Sequence, residues 1–155
     1  MSVTTREPAA ETAVRDLIER WINASIVGDL DAIMGCYASH LRVFDAIGPL
    51  QFTDAASYRE HWRMCLSFMV GDMTFEAHDL RVHTDGDIAF AHYLVRCGGT
   101  DQQGETQTGW MRGTTCCRRV DGEWKIAHEH FSAPFDPESG RTLLDLVPPG
   151  REESP

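Results

Sequence analysis

The stretch that decides the fold is Gly109-Trp110-Met111-Arg112-Gly113-Thr114, continued through Asp121-Gly122 into Trp124-Lys125-Ile126-Ala127-His128-Glu129-His130-Phe131-Ser132. Two strand-like runs flank an Asp-Gly pair, the dipeptide that best fills the two-residue turn between antiparallel strands. Period-two alternation puts Trp124, Ile126, His128, His130 and Ser132 on one face of the second strand. That face begins apolar and ends polar, as the wall of a half-dry pocket would.

Upstream of the hairpin the chain changes period. Val14, Leu17, Ile18, Trp21 and Ile22 recur at helical spacing, which predicts an amphipathic helix over 11–26 that Gly28 stops. Asp29 caps a second short helix over 30–37, and Leu41–Asp45 reads as a strand broken at Gly48-Pro49. Thr53 or Asp54 then caps a third helix to about Val70, with Tyr58, Trp62, Cys65, Leu66 and Met69 as its buried stripe and His61 turned to solvent. Strands follow over 73–83, 88–97, 107–120 and 123–133, with Asp85-Gly86-Asp87 as a further tight turn. Residues 1–9 are expected to be a disordered lead-in, and 136–155 a tail that is either a short packing helix or flexible. Between them, 10–135 form one α+β domain: N-terminal helices packed on the concave face of a curved, mainly antiparallel sheet, shaped as a cone. Such a cone encloses a cavity of the kind small molecules occupy.

Composition bounds the function. The chain has 155 residues, 42% of them hydrophobic, enough for one core. No apolar run approaches the roughly 20 residues of a membrane span, and the N-terminus lacks a signal-peptide core, so a cytoplasmic location is expected. A net charge of −10 argues against nucleic-acid binding. The five cysteines show no metal-ligand spacing, and their odd number in a reducing compartment makes free thiols the expectation.

Arg20-Trp21-Ile22-Asn23-Ala24, Gly28-Asp29-Leu30-Asp31-Ala32-Ile33, Tyr37 and Val43-Phe44-Asp45-Ala46-Ile47-Gly48-Pro49 together resemble the start of the ketosteroid isomerase family. Trp110-x-Arg112-x-Thr114 and Asp121-Gly122-x-Trp124-Lys125-Ile126-x-His128-x-His130-x-Ser132 resemble its SnoaL-like, polyketide-cyclase branch, within the nuclear transport factor two-like superfamily. The resemblance covers about residues 10–135 and implies the cone fold. It implies no single activity, because the same scaffold carries isomerases, dehydratases, cyclases, epoxide hydrolases and non-catalytic modules. Asp45 falls where the isomerases keep their general base, and Trp21 where they keep a tyrosine oxyanion donor. Their second donor, a protonated aspartate, would lie near Cys116, where there is no carboxylate. In this fold the convex face commonly pairs two copies, and Thr115, Cys117, Lys125, Ala127 and Phe131 read as that homodimer face.

Asp45 lies among apolar neighbours, which raise a carboxylate's pKa toward values useful for taking a proton; its plainer role is to pair with Arg112 or cap the following turn. His128 and His130 share a face, and alternation would bring His92, Trp110 and Arg112 to the same cavity. There a histidine or Arg112 would stabilise an oxyanion, unless the histidines are merely structural. Arg112, inside an apolar strand, calls for an acidic partner: Asp45, Glu129 or a substrate carboxylate. Trp21, Trp62, Phe68, His92 and Trp110 are expected to hold the ligand or fill the core. No metal or cofactor is expected. The resulting reading is a small-molecule-binding protein, an isomerase, cyclase or dehydratase acting on an apolar carbonyl compound by proton transfer through Asp45. The alternative is a non-catalytic ligand-binding or self-association module on the same cone.

Overall fold

A computed structural model describes residues 8–151. Helix α1 (Pro8–Val27) and the short α2 (Leu30–Gly35) lead into strand β1 (Tyr37–Phe44), and α3 (Ala55–Ser67) precedes β2 (Val70–Asp85), β3 (Ile88–Thr100), β4 (Thr106–Val120) and β5 (Glu123–Ser132). The sheet order is β1-β5-β4-β3-β2, with β1 parallel to β5 and every other pairing antiparallel. Three helices pack on one face of this curved, open sheet, so the α+β cone expected from the sequence is the fold.

The helices form where local chemistry starts them. Asp29 accepts from Ala32 N (3.0 Å) and Asp54 from Ser57 N (2.7 Å), each satisfying a first-turn donor that has no helical partner. Val14, Leu17, Ile18 and Trp21 line the buried side of α1, and Trp21 meets Phe75 and Phe131 from the sheet. Tyr37 belongs to β1 rather than to the second helix, which ends at Gly35. Pro8 and Ala9 belong to α1, and the rest of the expected lead-in lies outside the described residues, as do the last residues of the expected tail. The described part of that tail is not a helix, and it is hydrogen-bonded to itself and to β4. Leu143 N bonds Pro134 O (2.8 Å), Asp136 N bonds Arg141 O (2.8 Å), and Trp110 N bonds Leu144 O (2.9 Å). This folds the segment back onto the part of β4 that runs beyond the end of β5.

The deciding hairpin forms, but its alternation is interrupted. Cys117 pairs with Ile126 and Cys116 with His128, which leaves Ala127 as an extra residue on β5. This β-bulge switches the faces. Before it, Trp124 and Ile126 are buried; after it, Glu129 and Phe131 are. Thr115, Cys117 and Phe131 are inward, buried residues, so the expectation that they form the convex face is overturned. Phe131 is turned in by the inserted Ala127, and Cys117 and Thr115 are inward because they stand opposite the buried Ile126 and Glu129.

Candidate functional site

The inner face of the sheet is laid out in rows. Ala91, Thr115 and Glu129 stand in register across β3, β4 and β5, and Tyr93, Gly113 and Phe131 form the next row toward the open end of the cone. A Cβ at Gly113 would sit 2.9 Å from ring carbons of both Phe131 and Tyr93, so only glycine lets the two aromatic rings meet over β4. Beyond that row opens a pocket of about 990 Å³. Phe131, Met111 and Cys97 line its floor, and Asp45, Ile47 and Leu50 one side. The lining is mostly apolar, with few polar groups, as in small-molecule sites generally.

Asp45 is held where β1 ends. Val43 and Phe52 exchange backbone hydrogen bonds (3.0 and 2.9 Å), which pins the loop between them and aims Asp45 inward. Its Oδ1 accepts from Ile47 N (3.0 Å), the expected turn cap. Its Oδ2 accepts from Tyr58 Oη (3.2 Å) and lies 3.5 Å from His61 Nε2. The side chain keeps 18% of its exposure, on the pocket side. His61 is buried, its ring packed against Phe52 (centroids 4.6 Å) and Tyr58 (5.9 Å). The expectation of a solvent-facing His61 is thus overturned. Position 61 follows Tyr58 by three and precedes Cys65 by four, so it shares their helix face, a signal present in the sequence.

Beneath Asp45 lies a second carboxylate that the sequence did not single out as a site residue. Glu129 is wholly buried; its Oε2 accepts from Tyr37 Oη at 2.6 Å, and Oε1 has no partner among the described residues. Trp21 Nε1 donates to the same Tyr37 oxygen (2.9 Å). Burial raises the Glu129 carboxyl to about 8, the Tyr37 hydrogen bond opposes this, and the negative charge of Asp45 adds to it. Burial also raises Tyr37 and Tyr58 well above the usual phenol range, with the charge of Glu129 adding to both, so they remain hydrogen-bond donors at physiological pH. Tyr37 and Tyr58 meet edge to face (5.4 Å), completing a buried polar column from Glu129 to Asp45. Cys97, at the pocket floor, is pushed up to about 11 by burial and is a thiol rather than a nucleophilic thiolate.

The other expected site residues are dispersed. His130 lines the pocket rim and rests on Phe44 (5.6 Å). His128 faces away from the pocket, bonded through Nδ1 to Arg42 O (2.7 Å). His92 and Arg112 are exposed on the outer face of the sheet, where water solvates Arg112 and no acidic partner is required. Their expected convergence with Asp45 fails because Tyr93 and Gly113, not they, occupy the inward positions. Trp110 is buried, but against His78 and the folded-back C-terminal segment. Trp21 is core, stacked on Phe131 (5.8 Å); Trp62 packs on Trp21 (6.0 Å); Phe68 is 64% exposed past the end of α3. No group of three or more His, Cys, Asp or Glu among the described residues is placed to hold a metal ion.

Comparison with solved structures gives the same architecture. The chain is 45% identical to an NTF2-like protein of unknown function from Pseudomonas putida KT2440 (TM-score 0.85), covering 92% of this chain and 99% of that one. It also superposes on a ketosteroid isomerase-like protein from Erwinia carotovora atroseptica SCRI1043 (16% identity, TM-score 0.71, covering 81% and 97%). The association domain of C. elegans CaMKII shares the fold as well (17% identity, TM-score 0.65, covering 81% and 97%). At these last two identities the likeness is one of fold alone. No curated protein matches the chain. Residues 14–136 match the model of the SnoaL-like domain, and the chain belongs to that family.

Proposed function

We propose that the protein binds an apolar, carbonyl-bearing small molecule in this pocket and moves a proton on it, as an isomerase, cyclase or dehydratase would, with Asp45 as the general base. The observation that carries this reading is the setting of Asp45: one carboxylate on the wall of a mostly apolar pocket, with a phenol and an imidazole directed at its Oδ2. Two neighbours on one oxygen fix its direction and leave the pocket side free to meet a substrate C–H. Tyr58 and His61 position the base, and His130 at the rim is the donor available to a developing oxyanion. The ketosteroid isomerase-like neighbour supports the reading only as an analogy of fold. All five cysteines are free, as a reducing cytoplasm would keep them.

One observation favours the non-catalytic alternative. The Trp21 N–H, at the place where the isomerases keep a donor, is already engaged by Tyr37 and does not line the pocket. A thermal-shift panel of ketones, lactones and aromatic acids tests the binding that both readings share. A set of flat, apolar carbonyl compounds is expected to raise Tm in a concentration-dependent way. A panel without a single hit would reject the pocket as a ligand site.

We further propose a homodimer formed through the outer face of the sheet, where Ile88 and Phe90 are about half exposed (50% and 47%) beside His83 and His92. Light scattering should give twice the chain mass, and Phe90→Asp should halve it. A monomer in the unsubstituted protein would end the proposal.

A further inference from the structure

Part of the pocket wall comes from the segment that follows β5. Phe135, Thr142 and Leu144 line it together with the residues of the cone, and Thr142 and Leu144 lie beyond the matched segment 14–136. They reach the pocket because the chain after β5 reverses and runs back. The reversal is built locally: Gly140 N bonds Asp136 O (2.7 Å), and the Asp136 carboxylate accepts from Ser139 N (3.1 Å) and Ser139 Oγ (2.6 Å). The returning arm then docks on β4, where Trp110 N donates to Leu144 O. At the neighbouring position, a Cβ on Gly109 would stand 2.9 Å from Leu144 Cβ and 3.0 Å from Leu144 O, the latter a backbone atom that cannot swing aside. Gly109 thus leaves the space in which the arm lies. Leu143 and Leu146 cover the other side of this junction, over Trp110.

We propose that segment 134–147 is a specificity-determining wall of the ligand site, with Phe135 and Leu144 setting the size of apolar ligand admitted; this rests on the reading of the pocket as a small-molecule site. Phe135 is 65% exposed and Leu144 44% exposed, both at the pocket. Apolar side chains left half in water beside an apolar cavity gain burial when an apolar ligand fills it. Asp45 and the apolar floor belong to the cone, whereas Phe135, Thr142 and Leu144 stand on the segment after β5, away from the carboxylate. The arm therefore selects the ligand's hydrocarbon body, not the group that reacts.

The test uses two fluorescent probes of different size, anilinonaphthalene sulfonate and its bis-anilino dimer, on the full chain and two kinds of variant. Hydrogen exchange at the Trp110 amide, bonded to Leu144 O, reports whether the arm is docked, and exchange at the Leu143 amide, bonded to Pro134 O, reports whether the arm's own reversal is intact. Gly109→Val should expose the Trp110 amide and weaken the smaller probe about tenfold, the loss expected when roughly 1.4 kcal/mol of contact is removed. The double substitution Phe135→Ala and Leu144→Ala should leave the amides protected and shift preference several-fold toward the larger probe. This second variant keeps the test decisive if Gly109→Val fails to fold. Unchanged affinities despite an undocked arm, or an unchanged size preference in the double variant, would overturn the proposal while leaving the pocket reading intact. If neither probe binds the unsubstituted protein, the pocket reading falls and the wall's role falls with it.

Discussion

Raising the pH from about 5 to about 8 should destabilise the protein, and Glu129→Gln should remove most of that dependence. In the folded chain the Glu129 carboxyl is raised to about 8, first by complete burial. An unfolded glutamate titrates near 4.3. Between these two values the folded state holds a proton that the unfolded state has released, so stability falls as pH rises. The slope for one such proton is about 1.4 kcal/mol per pH unit, which gives a loss on the order of 4 kcal/mol over the roughly three units from pH 5 to pH 8. The groups facing Glu129 do not include a compensating cation: Tyr37 comes from β1, Tyr58 from α3, Tyr93 from β3 and Cys117 from β4, with the negative Asp45 beyond. Asp54 and Asp136 act in the opposite sense. Hydrogen bonds hold both below the ordinary carboxylate range, so their contribution is present above about pH 4 and lost only in more acid solution. Urea unfolding followed by tryptophan fluorescence at pH 5 and pH 9 measures the difference. The glutamine variant keeps an acceptor for Tyr37 and has no proton to lose, so it should be the more stable protein at pH 9. Parallel pH curves for the two proteins would show that Glu129 is not the group responsible.

How much of this was legible in the sequence depends on a few residues. The fold was, because Asp121-Gly122, the helical spacing from Val14 to Trp21 and the run of strands after Gly71 are local signals that tertiary packing only confirms. Asp45 was singled out through the resemblance to the isomerases, with its apolar neighbours as support, and it does line the pocket. His128 turns away from the pocket because the Ala127 bulge breaks the alternation along β5, and a bulge has no reliable mark in sequence, whereas His130 still reaches the rim. Phe131 was the available clue: once that aromatic residue is allowed inside, Glu129, two positions earlier, must be inside too. The rows of the sheet show the consequence, with Glu129 level with Thr115 and Ala91 while His128 and His130 look outward or to the rim. His61 was passed over for a different reason. Helix α3 was read by hydrophobicity alone, whereas its buried face contains Tyr58 and His61 because they have a polar target, Asp45, across the interface. The C-terminal segment carried a signal, its apolar run at Leu143, Leu144, Leu146 and Val147, but not where it docks, which depends on the Trp110–Leu144 backbone hydrogen bond and on the missing side chain of Gly109.

Asp45→Asn should slow proton abstraction by about 100- to 10,000-fold, the usual contribution of a positioned base. The substitution is close to isosteric, and its side-chain oxygen can still accept from Ile47 N, so the turn after β1 and the fold should survive. What disappears is the carboxylate lone pair facing the pocket. A suitable probe is β-tetralone, a flat apolar ketone with acidic α-hydrogens whose exchange into heavy water is read directly by proton NMR. The reaction needs only one step each way: the C–H bond breaks as Asp45 gains the proton, and the enolate takes a deuteron back from the exchanged carboxyl. His61→Asn tests the positioning role separately. It should lower the rate by about tenfold and alter its pH profile while leaving ketone affinity within about twofold, because His61 touches Oδ2 and not the pocket. A purely structural His61 would change Tm without moving that profile. If the unsubstituted protein binds the ketone but exchanges its hydrogens no faster than buffer, Asp45 is not a base toward enolisable ketones, and the cone is better read as a binding module. Equal exchange rates for the unsubstituted protein and Asp45→Asn would instead keep the chemistry and move it to another group, for which Glu129, at the far end of the same tyrosine column, is the nearest carboxylate in the polar network.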